Sequence, residues 1–379
     1  MLRSIGMEVA ILLSTLGLLR GGLETRAGCL GSGLARRGHR VTLVAPRFGE
    51  LAPDLASLPV TWLRVPCPEL SESRDQLSQA FHDACREHPE ARRLMAEHDA
   101  TFTLFAPDTA RFSAWRRSEG RGHVSYYSGG GRSWLERDLS TVRLVNPLTA
   151  QKNREVADFP MDGELLPGVP DALLAAPYTV RERGRRLLSV GRLEPNKGVI
   201  ELLALFRRMD DPRLNADTEL RFVGDGPLRE ALEREATERV SFAGAVGQEQ
   251  VWEEMRQADL LVHPSSCESF CFTLLEAQAA GIPFVSSDVP GIRGAVPDGS
   301  PLLPLDEPDL WLATVRTLLG DFEARRRLSA AGREWAGRYT WEGPVAALEG
   351  FLRLASERAS SRQSSAPSSP PGPSPTSSA

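Results

Sequence analysis

Residues 259–281, DLLVHPSSCESFCFTLLEAQAAG, limit the possible folds more than any other stretch. Asp259 to Pro264 is a short apolar run stopped by proline, which reads as a buried strand. Leu274 to Ala280 is rich in helix formers. Ser265 to Phe272 is then a loop leading from a strand into a helix N-terminus, with the helix expected to begin near Phe270. Such a terminus carries unpaired backbone N–H groups and the positive end of the macrodipole, which suits phosphate. Glu268 and Glu276 flank this terminus with seven residues between them, so both can face one ligand above it. Amides for a phosphate and carboxylates for hydroxyls suggest a sugar nucleotide. The spacing also fits a plainer arrangement, in which Glu268 neighbours an N-cap and Glu276 is a solvated helix residue.

The rest of the chain supplies a setting for that element. Met7 to Leu13 reads as a strand, Ser14 to Gly22 as a loop, Glu24 to Arg37 as a helix closed by Gly38, and Arg40 to Ala45 as a second strand. This is a βαβ unit and predicts a parallel sheet. Further on, Ser71 to Arg86 and Pro89 to Glu97 look helical, while Thr101 to Ala106, His123 to Tyr127 and Val142 to Val145 look like strands. Pro160 to Pro177 holds four prolines and little periodicity, and marks the approach to a domain boundary. A second alternating series begins at Arg186: strands at 187–190, 219–223, 240–242, 259–263 and 282–286, with helices at 199–208, 227–236 and 249–257 between them. Asp321 to Arg338 and Trp341 to Ser356 are amphipathic helices. From Ala359 the chain turns to Ser and Pro, and is expected to be a disordered tail.

Composition excludes some functions. The 379 residues are 41% hydrophobic and 25% charged, which is ordinary for a globular protein of two domains. A net charge of −5 argues against nucleic-acid binding by bulk electrostatics. The five cysteines (29, 67, 85, 267 and 271) have no metal-type spacing and fit a reducing compartment; Cys267 and Cys271, four apart beside the key loop, read as small buried thiols rather than ligands. The N-terminal run lacks a signal-peptide cleavage pattern and is interrupted by Glu8, so a first strand is expected. No apolar run reaches the length of a membrane span.

Strand ends in such sheets converge on one crevice, where ligands bind. Arg192 follows a strand end and Lys197 lies five residues on, in a loop shaped by Pro195 and Gly198. Two cations there can neutralise a diphosphate; a solvated basic loop is the alternative. The chain has no Asp-x-Asp sequence, no G-x-x-x-x-G-K-[ST] loop and no complete G-x-G-x-x-G. GDGP at 224–227 is a weak glycine signal that a tight turn also explains.

In order along the chain, GGLE at 21–24, VGRLEPNKG at 190–198, VGDGP at 223–227, ESFCFTLLEAQAAGIPFVSSDVPG at 268–291 and WE at 341–342 resemble the retaining GT-B glycosyltransferases of family 4, the group 1 glycosyl transferases. The resemblance spans residues 7 to about 355 and is thin between about 60 and 160. It implies an α/β protein with two facing Rossmann-like domains: residues 1–177 on the acceptor side and 178–340 binding the nucleotide sugar. Residues 341–357 would be a helix crossing back to the first domain, and 358–379 the tail. Arg192 and Lys197 would hold the donor diphosphate. Glu276 would meet the ribose hydroxyls, and Glu268 the transferred sugar. Backbone at Phe272, Thr273 and Leu274 would meet the distal phosphate, Gly22 would let backbone approach it, and Gly244 to Val246 would face the base. No cofactor and no metal are implied beyond a donor such as a UDP- or GDP-sugar, because fixed cations and a helix dipole stabilise the leaving diphosphate.

The resemblance implies transfer of a hexose with retention to a glycan, lipid-linked or small-molecule acceptor. It implies a bacterial-type cytoplasmic enzyme, with peripheral contact at the inner face of a membrane compatible with it. Three positions depart from the family pattern. Cys271 stands where Gly is usual, Gly294 where Glu is frequent, and no His is evident in the first domain to contact the sugar, His123 being a candidate by proximity alone. Those departures keep open a sugar-nucleotide-binding paralogue without activity. A disaccharide synthase is a second alternative. A phosphorylase is disfavoured, since no Lys is recognisable as a pyridoxal phosphate anchor.

Overall fold

The computed structural model describes residues 6–15, 22–47, 56–68, 73–127, 141–145, 161–209, 218–268 and 270–365. Two parallel sheets carry the molecule. The first has seven strands in the order β3-β2-β1-β4-β5-β6-β7, and the second has six in the order β10-β9-β8-β11-β12-β13. In the first sheet β1 is Glu8–Leu12, β2 Arg40–Pro46, β3 Thr61–Val65, β4 Ala100–Thr103, β5 Gly122–Tyr127, β6 Val142–Val145 and β7 Gly163–Glu164. In the second, β8 is Arg186–Val190, β9 Glu219–Val223, β10 Val240–Phe242, β11 Leu260–His263, β12 Phe284–Ser287 and β13 Leu302–Leu303. Every pairing is parallel, and the order reverses between β1 and β4 and between β8 and β11. A ligand crevice is expected at each reversal, outside the C-terminal strand ends.

The helices of the first half are α1 (Gly22–Arg36), α2 (Arg74–Glu87), α3 (Pro89–Glu97) and α4 (Ala106–Ser118). Those that follow are α5 (Asp171–Ala175), α6 (Val199–Met209), α7 (Arg229–Glu235), α8 (Gln248–Gln257), α9 (Phe272–Ala280), α10 (Pro290–Arg293), α11 (Pro308–Gly320), α12 (Phe322–Ala336) and α13 (Glu342–Ser365). Four departures from the sequence reading have physical causes. The strand expected over 101–106 stops at Thr103, because Pro107 in the first turn suits a helix start and α4 begins at Ala106. Gly22 is the first residue of α1 rather than the end of a loop. The helix expected to start near Phe270 starts at Phe272, because Cys271 is its N-cap with φ −88° and ψ 88°. Val169 and Leu173 pack into the second core, so the chain changes bodies before residue 177.

The return crossing is at Thr340, which bridges to Val169. Beyond it Trp341, Val345, Leu348, Leu352 and Ala355 join the core of the first sheet. The approach is close: a Cβ at Gly33 of α1 would meet a Val345 methyl carbon at 2.3 Å. That explains glycine in the middle of α1, where it otherwise weakens a helix. The tail expected from residue 358 is corrected here, since α13 runs on to Ser365. Ala359 continues the small buried stripe, Arg358 pairs with Asp162 at 2.8 Å, and the Gln363 amide donates to the Gly120 carbonyl at 3.0 Å. Low apolar content hid this contact because the buried residues on that face are alanines. Residues 366–379 of the expected tail lie outside the described residues. No helix among the described residues is long and apolar enough to cross a membrane.

Candidate active site

The site is assembled from loops at the C-terminal ends of the second sheet. After β8, Pro195–Lys197 form one 3-10 turn that ends at Gly198 with φ 66°. A Cβ at Gly198 would lie 2.2 Å from the Pro264 carbonyl oxygen, so glycine is required both for the turn and for the approach. The Asn196 carbonyl accepts from the Ser266 N–H at 2.9 Å and from the Ser265 hydroxyl at 3.1 Å. The loop after β8 is thereby fastened to the loop after β11.

This fastening brings Lys197 and Glu268 together across 71 positions. Lys197 Nζ donates to Glu268 Oε1 at 2.7 Å, and His263 Nε2 lies 3.0 Å from the same oxygen. Burial pushes the Glu268 carboxyl up, but the His263 hydrogen bond and the Lys197 charge outweigh it and hold the group down at about 2. The sequence pointed to no role for His263. Its position at the last residue of β11, five before a carboxylate, is the signal that sequence reading passed over.

Glu276 is set differently. It sits in the second turn of α9, and its Oε1 accepts from the Gln248 side-chain amide of α8 at 2.8 Å. Burial raises its carboxyl to about 7, with hydrogen bonds from Trp252 and then Gln248 opposing only in part. Gln248 is the second residue that the sequence reading missed. Glu276 also helps to push the Cys29 thiol of α1 up to about 12, after burial itself. Gly22 is the N-terminal residue of that same α1.

The two cations expected to share a diphosphate are each engaged by a carboxylate. Lys197 is held by Glu268, and Arg192 pairs with Glu194 of its own loop at 2.7 Å. The Arg192 pair is partly exposed, so its exchange for an anion costs little. Among the α9 amides, the Phe272 N–H donates to the Phe270 carbonyl at 3.2 Å and the Leu274 N–H to the Cys271 sulfur, with Thr273 between them. Val246 packs against the second core, and Gly244 of the same segment accepts from the Gly224 N–H at 2.9 Å, beside the β8 and β9 ends. His123 is buried in the first core between Thr101 at 2.7 Å and Thr103 at 3.1 Å; burial, then the Arg116 charge, hold its imidazole down at about 3. It is a core residue. Cys271 is 2% exposed and its sulfur lies 3.3 Å from His263 Nε2, so its side chain points into the protein, whereas Cys267, expected to be buried with it, is exposed in the loop before it. Gly294 caps the short α10 in ordinary right-handed backbone.

Comparisons with known proteins agree on one class. Residues 174–335 match the family model described as glycosyl transferases group 1. The chain is 37% identical over 190 residues to D-inositol 3-phosphate glycosyltransferase of Geodermatophilus obscurus, covering 46% of this chain and 41% of that protein. It is 29% identical over 352 residues to phosphatidyl-myo-inositol mannosyltransferase of Mycobacterium leprae, covering 85% of this chain and 90% of that one. Among solved structures, sucrose-phosphate synthase from Thermosynechococcus elongatus superposes with a TM-score of 0.77 at 20% identity, over 92% of this chain and 98% of that one. HepE of Anabaena in complex with UDP-glucose does so at 0.70 and 14% identity, over 95% and 100%. The chain spans about two fifths of the length of its D-inositol 3-phosphate glycosyltransferase relatives in Geodermatophilus obscurus and Jonesia denitrificans. The architecture is the expected GT-B fold, with the last helix crossing back onto the first sheet.

Proposed function

From a chain whose residues 174–335 match the model of the group 1 glycosyl transferases, we propose a retaining family 4 enzyme that moves a hexose from a nucleoside diphosphate sugar to an acceptor hydroxyl. The observation that carries this reading is the pair of carboxylates about α9. One is ionised by Lys197 and His263, and the other is half-buried beside Gln248. In this reading the donor lies across the β8, β9 and β11 loop ends. Glu276 accepts from the ribose hydroxyls and orients the nucleoside. The diphosphate takes Arg192 from Glu194 and Lys197 from Glu268, which frees the Glu268 carboxylate for hydroxyls of the sugar. Thr273 and the start of α9 support the distal phosphate. Gly22, at the N-terminus of α1, faces the same group from the other body.

Charge builds on the diphosphate as the glycosidic bond breaks. Lys197, Arg192 and the α9 dipole stabilise it without reorganising at that moment, so no metal is required. The acceptor attacks from the face the leaving group vacates, and the departing phosphate accepts its proton. The acceptor is a glycan, a lipid-linked sugar or a small molecule. Melting curves against a panel of UDP- and GDP-sugars test the reading. A cognate donor raises the melting temperature of the wild type, as a ligand of the folded state must, and does so much less for Glu276→Ala. No shift with any nucleotide sugar would refute it.

A further inference from the structure

The buried side of Glu268 holds a second set of donors. His263 Nε2, one Glu268 carboxylate oxygen and Cys271 Sγ all lie within 4.8 Å of one another. Nε2 is 3.0 Å from the carboxylate oxygen and 3.3 Å from the sulfur. A tetrahedral zinc ion with ordinary bond lengths needs such edges to be about 3.3–3.6 Å, so these two edges must open by a few tenths of an ångström and the carboxylate-to-sulfur edge, within 4.8 Å, must settle to the same length. The donors come from rigid places: the last residue of β11, the loop after it and the N-cap of α9. Imidazole, thiolate and carboxylate together are a zinc donor set, and three protein ligands leave one tetrahedral position for a fourth.

We propose that His263, Glu268 and Cys271 form a binding site for Zn²⁺ that competes with Lys197 for Glu268 and so closes the site to donor. The metal site stands on the three side chains alone; its inhibitory consequence rests on the donor reading given above. Binding is balanced by loss of the Cys271 thiol proton to solvent. Any proton on His263 Nε2 must move to Nδ1, leaving Nε2 free to ligate. Lys197 Nζ, 2.7 Å from Glu268 Oε1, is a cation on the carboxylate that the metal needs, so ammonium and zinc compete for it and repel each other. Removing the Lys197 charge therefore tightens the metal instead of loosening it, which a merely structural triad would not do.

The probe is Co²⁺ titrated into chelator-treated full-length protein, followed by its thiolate charge-transfer absorption and then displaced with Zn²⁺. The expected result is one Co²⁺ per chain with that band. The band is lost in Cys271→Ala, retained in Cys267→Ala, and reached at least tenfold lower in metal concentration in Lys197→Met. Melting curves in chelator report that each variant is folded. Absence of the band in the wild type, its survival in Cys271→Ala, or weaker binding in Lys197→Met overturns the site. Donor turnover is then measured with and without Zn²⁺. Wild type loses turnover and Cys271→Ala resists; equal inhibition of the two overturns the competition. A wild type that binds Co²⁺ as expected but turns over no donor keeps the metal site and refutes the donor reading instead.

Discussion

The mouth of α9 and its second turn carry the same side chain under opposite control. At the mouth, Glu268 is held ionised at about 2 because a lysine and a histidine converge on one oxygen. One turn further in, Glu276 is raised to about 7 because burial meets only neutral donors, Trp252 and the Gln248 amide. The difference teaches that neighbours brought in by the fold, not residue type or spacing, decide what each carboxylate does. An ionised Glu268 is bound to its cation until an anion replaces it. A Glu276 near neutrality at physiological pH can share hydrogen bonds with hydroxyls without a large desolvation cost.

Removing the charged side of this contrast should have the largest effect. Lys197→Ala and Arg192→Ala are each expected to lower the rate by on the order of 10² or more, as loss of a charge-stabilising donor does. Single-turnover measurements check this, and a wild type whose rate rises with added divalent metal would contradict it.

The contrast is sharpened by truncating each carboxylate. Glu276→Ala is expected to raise KM with kcat nearly unchanged, since ribose contacts are the same in ground and transition states. Glu268→Ala is expected to lower kcat more than it changes KM. Equal effects on both parameters would dissolve the division of roles.

The pH dependence of stability separates the two carboxylates again. The folded value of Glu268, about 2, lies below the ordinary 4.5, so its contribution is present above pH 4.5 and lost as pH falls towards 2. The folded value of Glu276, about 7, lies above 4.5, so the fold holds a proton the unfolded chain has released. Stability then falls as pH rises from 4.5 to 7. Glu276→Gln should remove that fall and raise the melting temperature at pH 8, whereas Glu268→Gln should lower it at pH 7. Melting curves across pH check both signs.

The smallest effect is expected at Cys271, whose sulfur packs inside against His263. Cys271→Gly should cost about 1 kcal/mol through lost packing and added chain entropy, with no gain in donor affinity. Calorimetry of donor binding beside melting curves decides it, and a clear affinity gain would mean that the thiol narrows the donor pocket.

Much of the fold was legible because local signals agreed. Leu260–His263 and Phe272–Ala280 were read as strand and helix from an apolar run, a proline and a cluster of helix formers. Helix α4 was not, because it buries Asp108, Thr109, Ser113 and Arg116 alongside its apolar residues, which erases any polar–apolar periodicity. The short edge strand β3, TWLRV, and helix α11 were also passed over. Lys197, Glu268 and Glu276 could be named as candidates in advance, yet His263, Gln248 and the pairing among them could not. Lys197 reaches Glu268, and Gln248 reaches Glu276, only because separate loops of one parallel sheet end side by side. The carry-over of α13 past residue 358 was hidden for a different reason: alanine and arginine make its contacts, and neither announces burial by composition.

The most direct measurement of the central claim is release of nucleoside diphosphate from UDP- and GDP-hexoses by full-length protein in excess chelator. The expected result is steady release from one of them, accelerated by acceptor, undiminished by chelator, and reduced on the order of 10²-fold in Lys197→Ala. Tight binding of a nucleotide sugar with no release under any acceptor would contradict it, and would mark the chain as a binder of sugar nucleotides without transferase activity.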